Sequence, residues 1–105
     1  MTGPTLKVIE VFLAEPDREF YGLELRAATG LANGTLYKRL MDLEAYGWLE
    51  SRWEYPDADE RAGRPPRRYY RLTREGAVRA REKAEGAAHA RARGGLRARL
   101  GTQGA

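Results

Sequence analysis

Residues 33–72, which read NGTLYKRLMDLEAYGWLESRWEYPDADERAGRPPRRYYRL, decide how this chain folds. Leucines recur at helical spacing over 33–46, and apolar and polar side chains then alternate over 48–55. A loop rich in proline, glycine and arginine covers 56–66, and a second alternating run follows over 67–72, in which Tyr70 and Leu72 should turn inward. The stretch therefore predicts a helix followed by a two-stranded ribbon with a basic tip.

Two shorter helices are predicted before this stretch. Pro4 can open a helix without losing a hydrogen bond, and apolar residues then recur at helical spacing until Pro16. A second helix over 22–28 ends at Gly30, where glycine can take the left-handed cap conformation. Two short helices joined by a glycine-containing turn are typical of a helix-turn-helix. With the ribbon, they predict a mainly α fold with a small β-hairpin wing, a winged helix-turn-helix over 1–72.

The third predicted helix has two unlike faces. Leu36, Leu40 and Leu43 fall together and should face the core, while the opposite face begins with small residues and a lysine. Such a face could lie in the major groove of DNA, although the solvated face of any amphipathic helix looks the same. We also expect Asn33 to cap the helix. The candidate DNA contacts on this helix are Asn33, Gly34, Thr35, Tyr37, Lys38 and Arg39.

The loop between the two strands carries charges of opposite sign on its two arms. The acidic residues of 57–60 would be repelled by DNA, whereas the arginines that follow would be attracted to it. Prolines stiffen the chain beside Arg64, so less entropy is lost if this arginine enters a narrow minor groove. The alternative is an ordinary solvent-exposed connection. The candidate DNA contacts of the wing are Arg61, Gly63, Arg64 and Arg67.

A last helix is predicted over 74–93, with Thr73 as its cap. Its apolar residues are almost all alanine, and Val78 is the only larger aliphatic side chain. Two glycines at the start of 94–105 predict the end of the helix. We expect that final segment to be a basic, flexible tail, although Leu96 and Leu100, spaced four apart, could extend an apolar edge beyond the glycines.

The charge of the chain is divided unevenly along its length. Residues 1–60 contain 6 Lys and Arg against 12 Asp and Glu, whereas residues 61–105 contain 13 against 3. Clustered arginines favour binding of a polyanion such as nucleic acid. The alternative is that a GC-rich genome favours Arg and Ala, and that Arg is a good helix former.

Composition also excludes several classes of function. The chain has no cysteine, which excludes disulfides and cysteine-based zinc sites and suits a reducing cytoplasm. His89 is the only histidine and Ser51 lacks a nucleophile motif, so we expect no enzyme, no metal and no cofactor. No apolar run approaches the roughly 18 residues that span a bilayer. The sequence predicts a soluble cytoplasmic protein with no membrane partner.

Several linked motifs stand in order along residues 5–80. They are Phe20-Tyr21-Gly22-Leu23-Glu24-Leu25, Gly34-Thr35-Leu36-Tyr37 with Leu40 and Leu43, Gly47-Trp48-Leu49-Glu50-Ser51-Arg52-Trp53-Glu54, Gly63-Arg64-Pro65, and Arg68-Tyr69-Tyr70-Arg71-Leu72-Thr73-Arg74-Glu75-Gly76. Together they closely resemble the PadR family of bacterial transcriptional regulators. The resemblance implies a winged-helix domain that binds double-stranded DNA, with 33–46 as its recognition helix. It also implies a homodimer built with the C-terminal helix, 73–93, and usually repression from a palindromic operator.

The chain departs from the family pattern in three places. Lys38 stands where the family usually has proline, Pro66 follows the Gly-Arg-Pro motif as an additional residue, and the C-terminal helix lacks bulky apolar residues.

The resemblance assigns dimer contacts to Leu6, Ala77, Ala80, Ala84 and Ala88.

Two further expectations concern partners. Members of the family sometimes bind small aromatic effectors near the dimer interface, and Trp48, Trp53 and Tyr55 could line such a pocket. We favour ribbon and core packing for these three residues. Acidic residues near the proposed DNA surface also leave open a winged helix that binds protein without specific DNA binding. These residues are Asp42, Glu44, Asp57, Asp59 and Glu60.

Overall fold

A computed structural model describes residues 3–56 and 63–103, with side chains as far as Gly94. Four helices and a small three-stranded antiparallel sheet make up the fold, which confirms the predicted mainly α fold with a β-hairpin wing. In chain order the elements are α1 (Gly3–Ala14), β1 (Phe20–Tyr21), α2 (Gly22–Thr29), α3 (Asn33–Ala45), β2 (Leu49–Glu54), β3 (Arg67–Leu72) and α4 (Arg74–Gln103).

The core forms where the apolar stripes of the helices meet the inner face of the sheet. Leu36, Leu40 and Leu43 are buried as predicted, and α1 contributes an apolar stripe that packs against them. Each such side chain stabilises the fold by roughly 1.5–3 kcal/mol relative to an exposed position. The buried apolar residues are Val8, Ile9, Phe12, Phe20, Leu25, Leu36, Leu40, Leu43, Leu49, Tyr70, Leu72 and Ala80.

The sheet has the strand order β1-β3-β2, and both pairs are antiparallel. Leu49 lies opposite Leu72, and Phe20 lies opposite Tyr70. Because side chains alternate between the two faces of a strand, this register turns Tyr70 and Leu72 inward, as the alternation predicted. The hairpin of β2 and β3 is thereby anchored in the core at one end and projects at the other.

The turn between α2 and α3 contains only a few residues. Gly30 has φ 70°, and its N–H donates to the carbonyl oxygen of Arg26 at 2.8 Å, as expected for a glycine cap. The prediction that Asn33 caps α3 was wrong. Ala32, in extended conformation, is the capping residue, and its carbonyl accepts from the N–H of Leu36 at 2.9 Å. Asn33 is the first helical residue because the extended turn ends one residue earlier.

Thr73 fastens α4 to the turn between α3 and β2. Its hydroxyl donates to the carbonyl of Gly47 at 2.7 Å, and its N–H donates to the carbonyl of Trp48 at 3.0 Å. The same hydroxyl accepts from the N–H of Gly76 at 2.9 Å, so the predicted cap is confirmed. A Cβ added at Gly76 would overlap the carbonyl oxygen of Trp48. This position therefore requires glycine for close approach.

The helix α4 is longer than predicted. It continues through the two glycines at 94 and 95 as far as Gln103, so the expected end of the helix at Arg93 was wrong. The flexibility of this last segment stays a prediction. Each glycine costs roughly 1 kcal/mol, but the surrounding arginines, alanines and leucines are among the best helix formers. Gly104 and Ala105 lie outside the described residues.

α4 gives the molecule an elongated shape. The principal extents of the molecule are 69, 26 and 20 Å. The first turns of α4 pack on α1, and every described side chain from Ala88 to Gly94 is exposed. Within residues 3–56 and 63–103, no helix combines the length and the apolar character needed to cross a membrane.

Candidate nucleic-acid interface

The outer face of α3 is exposed along its whole length. Gly34, Thr35 and Lys38 are exposed on the side of the helix away from its buried leucines. Met41 is also exposed there, at 68% of its surface, and Ala45 continues the same face. Sequence reasoning did not include Met41 among the candidate contacts. Its spacing was the available signal, because it follows Gly34 by seven positions and Lys38 by three.

The two flanks of α3 differ in what they present. Tyr37 is 44% exposed and faces the hairpin, where its ring lines a groove. The side chain of Arg39 is only 20% exposed, and its Nη2 lies 3.9 Å from Oδ2 of Asp42. The buried Nε of Arg39 has no hydrogen-bond partner among the described residues. Tyr37 is thus directed toward the wing, whereas Arg39 lies against the helix flank.

A groove of about 520 Å³ separates the start of α2 and the flank of α3 from the hairpin. Tyr37 lines it on the α3 side, and Arg64 lines it on the wing side. Among the predicted wing contacts, Gly63 is exposed near this groove, and Arg61 falls outside the described residues. The groove combines aromatic side chains with a basic rim. The aromatic and basic residues that line it are Tyr21, Tyr37, Trp53, Tyr70, Arg64, Arg67 and Arg68.

The arginines of the wing have partners within the sheet. Nη2 of Arg64 lies 3.1 Å from Oε1 of Glu54 and donates a hydrogen bond to it. The guanidinium of Arg67 lies 4.4 Å from the centre of the Tyr21 ring. Both guanidinium groups are therefore held at the rim of the groove.

The C-terminal part of α3 is joined to the hairpin by a network of three side chains. Nη2 of Arg68 donates to Oε2 of Glu44 at 3.0 Å, and the Ser51 hydroxyl donates to Oε1 of Glu44 at 2.5 Å. Nε of Arg68 also donates to the Ser51 hydroxyl at 3.0 Å. The network fixes the hairpin relative to α3 and neutralises one of the acidic residues near the proposed DNA surface.

The arginines of the hairpin pair with carboxylates on different elements. Arg71 pairs with Glu50 across the ribbon, and its Nε donates to Oε1 at 3.0 Å. Arg68 pairs with Glu44 on α3 instead of a strand residue, because its side chain lies on the inner face of the hairpin. Glu54 is consequently left to pair with Arg64 in the wing.

Burial and charge both act on Tyr70 at the floor of the groove. Burial raises the pKa of its hydroxyl, and the positive charge of Arg68 opposes this rise. The guanidinium of Arg68 lies 5.5 Å from the centre of the Tyr70 ring and 5.7 Å from that of Trp53. The neutral phenol is thus favoured in the folded protein.

The outer face of the sheet carries a separate set of ion pairs. Nε of Arg52 donates to Oε2 of Glu19 at 2.7 Å, and this hydrogen bond is the main reason why the pKa of the Glu19 carboxyl is lowered. The guanidinium of Arg52 also lies 4.9 Å from the centre of the Tyr69 ring. Arg52 is exposed and Glu19 is partly exposed, so the contribution of this ion pair to stability is small. This face supplies arginines that do not line the groove.

The predicted dimer contacts have different surroundings. Leu6, Ala77 and Ala84 are half-buried, and Ala88 is exposed. Ala80 is completely buried in the core of the single chain. The assignment of Ala80 to a dimer surface was therefore wrong, since its side chain has no surface to offer a second chain. Within the described ranges, no cluster of His, Asp or Glu could hold a metal ion.

A known protein family matches this chain. The model of the transcriptional regulator PadR-like family matches residues 13–82, which is more than half of the chain. The chain belongs to the PadR-like family. Since this is a family of transcriptional regulators, the chain is a DNA-binding regulator and not an enzyme, and the interpretation drawn from the sequence motifs is confirmed.

Solved structures agree with the family assignment. A PadR family transcriptional regulator from Eggerthella lenta DSM 2243 is 26% identical, with a TM-score of 0.65 over 89% of this chain and 83% of that one. Pex from Synechococcus sp. is also 26% identical, with a TM-score of 0.58 over 80% of this chain and 78% of that one. The protein smu.1704 from Streptococcus mutans UA159 shares the fold at 17% identity, with a TM-score of 0.66 over 84% and 78% of the two chains. The curated proteins give no match.

Proposed function

We propose that this PadR-like regulator binds a palindromic operator as a homodimer and represses transcription. In this proposal α3 enters the major groove and the wing contacts the adjacent minor groove or backbone. The observation that carries the proposal is that Tyr37 of α3 and Arg64 of the wing line the same groove. The recognition helix and the basic arm thus lie on one side of the molecule.

The groove between α3 and the wing suits a sugar-phosphate strand. A strand separates the major groove from the neighbouring minor groove, so it would pass between α3 and the wing if each entered its own groove. The basic rim supplied by Arg64 and Arg67 would neutralise phosphates, and the Tyr37 hydroxyl can donate to a phosphate oxygen. Local pairing reduces the acidic charge nearby, because Glu44 binds Arg68.

Dimerisation is proposed through α4. A helix whose described side chains from Ala88 to Gly94 are all exposed has buried little of its surface in a single chain. Val78 is likewise 52% exposed on the packed half of the helix. A second copy of the chain would cover part of this surface and set the spacing of two operator half-sites. In this division 1–72 reads DNA and 73–93 dimerises.

Repression and a small aromatic effector complete the proposal. Repression follows if the dimer covers a promoter, and the cytoplasm is where such a protein meets chromosomal DNA. Of the three aromatic residues named for an effector pocket, only Trp53 lines the groove, while Trp48 packs against the core and Tyr55 stacks on Trp53. An effector in this groove would occupy the place of the DNA strand and release the operator.

Selection of genomic DNA fragments by the full chain tests the proposal. We expect enrichment of fragments that share an inverted repeat, and a solution mass of two chains. Protection of a promoter by the protein would establish repression. No enrichment, together with negligible binding to random duplex DNA, would instead support a winged helix that binds protein.

A further inference from the structure

The outermost face of α3 is more apolar than its position beside basic residues suggests. On a helical wheel of 100° per residue, Gly34, Lys38, Met41 and Ala45 fall within about 60° of one another, opposite the three buried leucines. All four are exposed. Only one of them, Lys38, can donate a hydrogen bond from its side chain.

Met41 is the most conspicuous member of this face. It is 68% exposed, although an exposed thioether chain of this size gains nothing from the fold of a single chain. Long, unbranched methionine side chains adapt their shape to the surface that they meet, and they are frequent at binding surfaces. The position of Met41, one turn after Lys38, places it where a bound duplex would lie closest to the helix.

Two of the polar side chains near Met41, Arg39 and Glu44, are held against the protein. Arg39, which could otherwise make the paired hydrogen bonds that recognise guanine, lies near Asp42 and is mostly buried. Glu44, which could accept from cytosine, is bound by Ser51 and Arg68. In the middle of α3, apolar contact is therefore the chief means of distinguishing bases.

The exposed edges of the base pairs offer one apolar group, the 5-methyl group of thymine in the major groove. We propose that Met41 reads this methyl group, so that the operator has an A·T pair at the position that faces Met41. This inference rests on the proposed function, since it requires α3 to lie in the major groove. It adds the identity of a specificity-determining residue and of the base-pair feature that it recognises.

Deoxyuridine substitution tests the inference directly. Each thymine of a selected operator would be replaced in turn by deoxyuridine, which removes the methyl group and keeps the base pairing. Burial of one methyl group predicts about a three- to fivefold loss of wild-type affinity at the sensitive position of each half-site. Met41→Ala should bind the unmodified operator more weakly and show no further loss at that position.

Two control variants separate this effect from general losses of binding. Lys38→Ala should weaken binding but keep the sensitivity to deoxyuridine, because it removes a different contact. Val78→Ala truncates an exposed apolar side chain on α4 that the proposed dimer would cover, so any loss of affinity should leave the sensitivity to deoxyuridine unchanged. If wild type binds a specific operator and no thymine is sensitive, or if Met41→Ala remains sensitive, the inference is wrong and the proposed function stands. If no sequence is selected at all, both are overturned.

Discussion

The hydroxyl of Tyr37 occupies the space where a side chain of residue 22 would begin. A Cβ added at Gly22 would overlap that hydroxyl, and Cζ of the same ring would be only 3.1 Å away. Gly22 is the first residue of α2, and Tyr37 lies on the flank of α3 beside the wing. The missing side chain at Gly22 therefore sets how closely the two helices of the helix-turn-helix approach at the groove.

Gly22→Ala should displace the Tyr37 ring into the groove and weaken DNA binding by about three- to tenfold, since a misplaced donor loses its phosphate contact. Thermal unfolding should change little, because the overlapping atom is the end of a side chain that can rotate away. The measurement is operator affinity by fluorescence anisotropy. The double variant Gly22→Ala/Tyr37→Phe removes the overlapping oxygen. Equal affinities for Gly22→Ala and wild type would show that the close approach of the two helices at Gly22 does not affect DNA binding.

Alanine substitutions at two other glycines should change the stability of the fold in opposite directions. Gly76→Ala places a Cβ against the Trp48 carbonyl, which is backbone and cannot move aside, so we expect a loss of about 1–3 kcal/mol or more. Gly86→Ala has open space around its Cβ in the middle of α4 and should stabilise the helix by roughly 0.5–1 kcal/mol. Chemical denaturation of both variants checks the signs. A neutral Gly76→Ala would refute the close packing of α4 on the α3–β2 turn.

Loss of the ion pair between Arg64 and Glu54 should increase the affinity for DNA. Glu54→Gln removes the carboxylate that holds the wing arginine, so Arg64 should transfer more readily to a phosphate. Coulomb energies of partly exposed pairs suggest an increase of about two- to fivefold.

Glu50→Gln is the matched control for that increase. It removes the same charge from the same face of the same strand, but Glu50 lies four residues from Glu54 and pairs with Arg71 instead of a wing arginine. Affinity for a fixed operator, measured at one salt concentration, should rise more for Glu54→Gln. Equal increases would mean that only net charge matters and that Arg64 does not contact DNA.

Local patterns were sufficient to predict most of the fold. The leucine spacing of α3 correctly predicted the buried face of that helix, and the alternation in β3 correctly predicted that Tyr70 and Leu72 turn inward. Both predictions depend only on the geometry of a helix or a strand. The β3 bounds were also predicted correctly from sequence. The end of α4 was not predicted correctly. The helix-destabilising effect of the two glycines at 94 and 95 is similar in size to the favourable helix propensities of the residues on either side of them.

Contacts between distant segments could not be predicted in the same way. The pairing of Arg68 with Glu44 depends on where the hairpin lies relative to α3, and strand alternation alone contains no information about that distance. The same holds for the burial of Arg39 and of Ala80. Only the exposure of Met41 had a usable signal, in its spacing from Lys38, although that spacing does not reveal its role.

The salt dependence of DNA binding tests the central claim, that α3 and the wing contact one duplex, most directly. We expect wild-type affinity to fall steeply with salt, and both Lys38→Ala and Arg64→Ala to lower the slope of log K against log salt by about one. Arg52→Ala, on the outer face of the sheet, should leave the slope unchanged. A slope near zero for wild type, or slopes for Lys38→Ala and Arg64→Ala equal to that of wild type, would contradict the account.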